Sequence, residues 1–311
     1  MHDAGLVAQF KSAARLDADY YRMIDKQQRT YFAFGSSTAK ERPEIDRNDL
    51  RRILLDSLPV GSVRWGQRPQ RIDPGGTLVF REHTEKGYDL VVGCEGTWSK
   101  TRDYVTDVKP HFAGVEYTKL TIRDAGNTAS DLVKLVNNGN LFAHSEGQFL
   151  SAQQLGDDSL YIGRSTTTSQ DRSQRKEDEI RDPVARKRAI LDEMQGWSAQ
   201  LQRSIEKAEV EGEPKDLYVL PPDHRWTHVR GVTLIGDAAH VMTPFAGEGV
   251  NTALDDARRL AAVIIGAVGS GGVPGLSGYD DSPGWVRSRT RGLSAECPDT
   301  PIHRPLPRAT S

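Results

Sequence analysis

The segment that most restricts the fold is GVTLIGDAAHVMTPFAGEGVNTALDDARRLA, residues 231–261. Its largely apolar run VTLI suits a strand buried on both faces, and the run ends directly in Gly236-Asp237. A glycine-bearing loop follows, and apolar positions at helical spacing then predict a helix over 251–265. A strand that feeds a helix in this way is the building unit of a parallel sheet, so the fold class is α/β. The helix's free N–H groups and positive dipole end would face whatever the loop holds. Gly247 and Gly249 let the backbone approach a flat ligand closely, and Asp237 offers a carboxylate to sugar-like hydroxyls. The same pattern also suits a plain crossover whose turn Asp237 merely caps, and pattern alone leaves both readings open.

A chain of 311 residues allows one large domain or two ordinary ones. With 41 Lys+Arg against 43 Asp+Glu the net charge is -2, so no global field recruits nucleic acid or an anionic membrane. No run approaches the ~20 apolar residues of a membrane span, and the opening MHDAGLVAQFKSAARLDADYY lacks the apolar core of a secretory signal. A cytoplasmic protein acting on a small molecule is expected. Cys94 and Cys297 have no Cys or His neighbours at metal spacing, which predicts no metal site and reads Cys94 as a small buried hydrophobe.

Leu6, Phe10, Ala13 and Ala14 recur at helical spacing, and TYFAF after them reads as a short strand. In RPEIDRNDLRRILLDSL, Asp46 is placed to cap a helix over 47–58 that carries Arg47, Arg51 and Arg52 on its polar face. Residues 63–92 alternate as strands around a DPGG turn and finish in YDLVVG, another buried-strand run, followed at once by CEGTWSKTR. From about 110 to 225 short β-like runs (LFAHS, QFLSAQ, LYIGRS) lead into a charged helix containing RKRAILDEMQGWSAQLQRSIEKA, which reads as a second domain. The mixed-sign string TSQDRSQRKEDEIRDP reads as a solvated segment. Residues 267–311, rich in Pro, Arg, Ser and Thr, read as a disordered or aberrant tail.

GDAAHVMTPFAGEGVNTALDDA resembles the Gly-Asp motif of FAD-dependent aromatic hydroxylases of the p-hydroxybenzoate hydroxylase type, and it is similar above all to their tetracycline-inactivating branch. Two further segments match in the right order. RPEIDRNDLRRILLDSL resembles the family's Arg-bearing helix start, and YDLVVGCEGTWSKTR its second motif, with Glu95 where the family usually has Asp. The resemblance spans residues 2–265 and implies that Arg47 and Glu95 serve the FAD region. It implies also that Asp237 binds ribityl or ribose hydroxyls, and that Pro244, Gly247, Gly249, Val250 and Asn251 line the isoalloxazine. It further implies a Rossmann-like FAD-binding domain from 1–108 and 226–266, a β-sheet substrate domain from 109–225, and hydroxylation of an aromatic or polycyclic compound with NADPH or NADH and O2.

The family's G-x-G-x-x-G turn occurs nowhere in the 311 residues, and GSGGVPG at 269–275 has Pro274 where its third Gly should stand. MHDAGLVAQFKSAARL resembles the segment just after the family's first βαβ unit, so the expectation is a chain lacking more than the ~30 residues of such a unit, with Met1 a misplaced start. The competing expectation is a non-catalytic remnant that binds no FAD. His240 reads as strand-end packing and Trp226 as core, while His144 suits either a substrate cavity or a structural place. Arg164, Gln148 and Glu146 are substrate-side candidates, and no catalytic base is assigned.

Overall fold

The computed structural model describes residues 1–35, 42–169 and 182–269. The first half of the chain forms α1 (Val7–Ala13), β1 (Tyr21–Asp25), β2 (Thr30–Phe34), α2 (Arg47–Asp56), β3 (Arg71–Asp73), β4 (Thr77–Val79), β5 (Thr84–Glu85), β6 (Val91–Gly93), α3 (Lys100–Val105), β7 (His111–Ile122), α4 (Ala125–Thr128), α5 (Ser130–Val136) and β8 (Asn140–Ser145). It continues with β9 (Gln148–Gln154), β10 (Leu160–Thr167), α6 (Pro183–Glu193), α7 (Ala199–Lys207), β11 (Glu209–Val210), β12 (Lys215–Val219), β13 (Val232–Leu234), α8 (Asp237–His240), a short 3-10 turn (Pro244–Ala246) and α9 (Gly249–Gly269).

Contacts group the chain into two units, residues 1–63 with 114–216 and residues 64–113 with the chain from 217 onward. The first differs from the sequence-based grouping, which kept residues 1–108 together. Its cause is a backbone pairing: β1 lies parallel to β8, from Tyr21 opposite Asn140 to Asp25 opposite His144, and draws the first segment into that sheet. The strand order is β11-β7-β10-β9-β8-β1-β2. Period-two alternation sends Leu120, Ile122, Leu141, Ala143, Leu150, Ala152, Leu160 and Ile162 to one face, where they pack on Leu132, Val136, Ile190, Met194, Leu201 and Ile205 of the helices. The stretch expected as one charged helix is two, because Gly196 takes φ 81° and the Ser198 hydroxyl caps α7.

In the second unit β6 and β13 pair in parallel, Val91 with Val232, Val92 with Thr233 and Gly93 with Leu234. Leu260 of α9 packs with Leu90, Val92 and Ile235, while Val105 of α3 packs with Val232, Leu234 and Ala238. The meander β3–β5 turns at the expected DPGG, where Gly75 and Gly76 take φ 80° and 74°. Helix α9 is longer than the expected 251–265, and it claims residues 267–269 of the segment read as tail. The rest of that tail, 270–311, lies outside the described residues, as does most of the charged string, 170–181. Among the described residues, no helix is long and apolar enough to cross a membrane.

Candidate functional site

Because β6 and β13 run parallel, their carboxyl ends release two loops side by side, the arrangement in which α/β sheets hold ligands. Glu95 stands on the first loop and Asp237 on the second, so the structure brings these two together. The second loop depends on Gly236, whose φ of 59° and ψ of -145° are open to glycine alone. A Cβ there would also press against the Ala253 side chain at 3.3 Å. One helical turn, α8, follows immediately and leaves Asp237 exposed, its carboxylate without a partner among the described residues.

That turn is held from below by Arg102, a residue not singled out from the sequence. The side chain is 1% exposed, and Nη1 donates to the carbonyls of Asp237 (3.3 Å) and Ala238 (3.0 Å) while Nη2 donates to the carbonyl of Thr97. A single planar guanidinium therefore ties both loops together. Burial pulls its pKa down, against the neighbouring charges of Asp103 and Glu95.

Glu95 uses its carboxylate inside the chain. Oε1 accepts from the backbone N–H (2.8 Å) and hydroxyl (2.6 Å) of Thr101, and Oε2 accepts from the Ser99 hydroxyl (2.9 Å). The Ser99 hydroxyl oxygen in turn accepts from the Arg102 N–H, so the pair caps α3. Desolvation would raise the Glu95 pKa, but the bonds from Thr101 and Ser99 outweigh it and hold the carboxyl below its ordinary value. Its neighbour Cys94 is exposed, not buried as the composition suggested, because β6 ends one residue earlier and leaves it on the turn.

Beyond α8 the chain makes the 3-10 turn at Pro244, places Gly247 in the left-handed region at φ 67°, and enters α9 at Gly249. Pro244, Gly247, Val250 and Asn251 are exposed, and a Cβ added to Gly247 or Gly249 would meet nothing within 4 Å. Close packing therefore demands neither glycine, although the Gly247 N–H bonds the Pro244 carbonyl, and both leave an open surface over the backbone. The Thr252 N–H bonds the Glu248 carbonyl, whereas the N–H groups before it lie in the unpaired first turn.

Arg47 belongs to the other unit. It is the exposed first residue of α2, after Asp46, which holds the capping position without making a side-chain cap bond; the helix ends at Asp56 instead of 58. Its charge lowers the Tyr161 pKa against the larger upward effect of burial, and Tyr161 of β10 lies on the sheet face away from the helices. That face carries a chain of ring contacts: Tyr21 with Phe34 (4.8 Å) and Phe142 (4.6 Å), Phe142 with Phe149 (5.7 Å), and Phe149 with His144 (4.6 Å). Burial lowers the His144 pKa to about 4, so its imidazole is neutral at neutral pH. Tyr117 and Tyr161 join their hydroxyls there, and a Cβ at Gly163 would strike both Ser151 and Tyr117.

The three substrate-side candidates do not share this face. Arg164 is buried toward Glu193 of α6 (3.4 Å), Gln148 bonds the Glu193 carbonyl and the Trp197 indole, and Glu146 lies in the β8–β9 turn paired with Lys26. His240 is buried, but as the last residue of α8 and not at the strand end, and its Nε2 meets the Asp256 carboxylate at 2.5 Å. Trp226 packs beside Val232 and Leu234.

The family of FAD binding domains matches this chain over residues 1–282. Monooxygenase penA of Penicillium thymicola is 27% identical over 303 residues, covering 83% of this chain and 69% of the relative. Salicylate hydroxylase of Pseudomonas putida is 28% identical over 264 residues, covering 76% of this chain and 58% of the relative. The fold is that of Klebsiella pneumoniae HpxO, solved with FAD and uric acid, at a TM-score of 0.73, 20% identity, and coverage of 94% of this chain and 76% of that one. The tetracycline destructase Tet(51) gives a TM-score of 0.55 at 20% identity, covering 96% of this chain and 74% of that one.

Proposed function

The chain belongs to the FAD binding domain family, and from that premise we propose an FAD-dependent monooxygenase that hydroxylates a small aromatic or polycyclic compound with NADPH or NADH and O2. The observation that carries the reading is the exposed, unpartnered Asp237 carboxylate on a turn bonded to α9, the helix whose first turn at Gly249–Asn251 leaves its backbone open. A carboxylate next to free helix N–H groups fits the ribityl hydroxyls and polar ring edge of a flavin. The fit covers that half of FAD; no G-x-G-x-x-G for the pyrophosphate stands in the 311 residues.

When bound, the flavin supplies the redox chemistry that places one atom of O2 on the substrate, and the protein supplies position and shielding from water. Asp237 would hold the ribityl chain, and Pro244, Gly247, Gly249, Val250 and Asn251 would line the ring. Glu95 acts indirectly, by capping the helix whose Arg102 fixes both loops. The aromatic face of Tyr21, Phe142, Phe149 and the neutral His144 offers flat apolar contact for a planar substrate, in keeping with relatives named for salicylate and with a neighbour solved with uric acid.

The test is to incubate residues 1–311 with FAD, remove excess, and follow NADPH and NADH oxidation and O2 uptake with salicylate, urate and a simple phenol. Substrate-stimulated oxidation with one labelled oxygen atom from O2 in the product is the expected result. Protein that takes up no flavin at any concentration overturns the reading.

A further inference from the structure

We infer that Asp256 is a positioning residue that locks the Asp237-bearing turn onto helix α9; the inference rests on the flavin reading above only where it concerns affinity. Asp256 is 2% exposed and sits in the inward stripe Thr252, Asp256, Leu260, one turn from the residue that packs on Leu90, Val92 and Ile235. A carboxylate in such a stripe is costly to bury unless it is fully engaged. Here one oxygen, Oδ2, accepts from the Gly236 N–H at 2.8 Å and meets His240 Nε2 at 2.5 Å.

Those two partners are the two ends of a single turn. Gly236 opens it, His240 closes it with its own N–H on the Gly236 carbonyl, and Asp237 projects from between them. With a hydrogen on Nε2, His240 makes its bond to Asp256 and keeps its buried Nδ1 as a bare acceptor. Arg102 grips the same turn through the carbonyls of Asp237 and Ala238. The turn is thus held from its carbonyl side by α3 and from its N–H and imidazole side by α9. Asp256 transmits the register of α9 to the direction in which Asp237 points, and it does so without being near enough to the surface to touch a ligand itself.

The test uses residues 1–311 and the variants Asp256→Ala, Asp256→Asn and Asp237→Ala, with the Asp237/Asp256 double replacement to alanine. Amide hydrogen exchange reads the lock directly. In Asp256→Ala the Gly236 amide is expected to exchange at least ~10-fold faster, since its buried bond is gone. Asparagine keeps an oxygen for that N–H and can donate to the ring, so Asp256→Asn is expected to return exchange to within about threefold of wild type. Flavin affinity is expected to fall about 10-fold in Asp256→Ala, with no further loss when it is added to Asp237→Ala, because both act through one contact. Unchanged Gly236 exchange in both Asp256 variants, or affinity losses that simply add, overturns the proposal. Should wild-type protein bind no flavin, the function proposed above fails, while the exchange measurement still decides whether Asp256 holds the turn; if the alanine variant does not fold, Asp256→Leu, which fills similar volume without an acceptor, takes its place with the same expected rise in Gly236 exchange.

Discussion

Replacing Arg102 by methionine keeps most of the side chain's volume and removes three bonds to carbonyls, those of Thr97, Asp237 and Ala238. Each bond from a charged donor contributes about 1.5–3 kcal/mol, but unfolding returns the guanidinium to water and offsets much of the sum, leaving a net loss of about 3 kcal/mol. With a urea slope of about 1–3 kcal/mol per molar, the unfolding midpoint should fall by roughly 1–3 M. Trp98 and Trp226 belong to the unit that Arg102 stabilises and Trp197 to the other, so indole fluorescence recorded alongside circular dichroism follows the transition in both. Lysine should rescue little, because one ammonium cannot serve carbonyls on two loops with a planar fork. A midpoint equal to wild type in both variants would refute the claim that Arg102 ties the loops together.

Two further outcomes follow from the same geometry. Glu95→Gln should cost about 1 kcal/mol at neutral pH, as loss of a helix cap does. Because the folded-state pKa of Glu95 is lowered, its contribution is present above the unfolded-state pKa and disappears as pH falls through the folded one; stability curves of wild type and variant should therefore converge in acid, and parallel curves would contradict this. Protein purified without added flavin should be nearly colourless, and riboflavin should then bind within about threefold of FAD, since the contacts identified reach only the ribityl and ring portions. Calorimetric titration with each flavin decides it, and a large preference for FAD would mean that some other part of the chain holds the pyrophosphate.

The parallel pair and its two loops were legible because both leave local marks: apolar runs ending in glycine turns, with a helical period after the second. Of the expected site residues Glu95 lies on the first loop, Asp237, Pro244 and Gly247 on the segment after β13, and Gly249, Val250 and Asn251 in the first turn of α9, while Arg47 opens α2 in the other unit. What the sequence hid was long-range pairing. Nothing in TYFAF or its preceding strand announces β8 as a neighbour, and so the pairing that groups the first 63 residues with that sheet has no local signal. That Arg164 and Gln148 face the helices was not legible, because alternation gives two faces without saying which one the helices cover. Arg102 and Asp256 were missed for a similar reason, although Asp256 left a trace as the lone carboxylate in a stripe of otherwise inward-facing positions.

The central claim is that Asp237, displayed by a locked turn, holds the flavin. Titrating FAD into wild-type protein and Asp237→Ala, with flavin fluorescence as the signal, tests it most directly. Asp237 is exposed and makes no side-chain bond among the described residues, so the variant should fold with unchanged stability. Loss of a charge-assisted hydrogen bond of about 1.5–3 kcal/mol should weaken binding by roughly 10-fold or more. Equal dissociation constants for the two proteins would contradict the account and move the cofactor elsewhere on the chain.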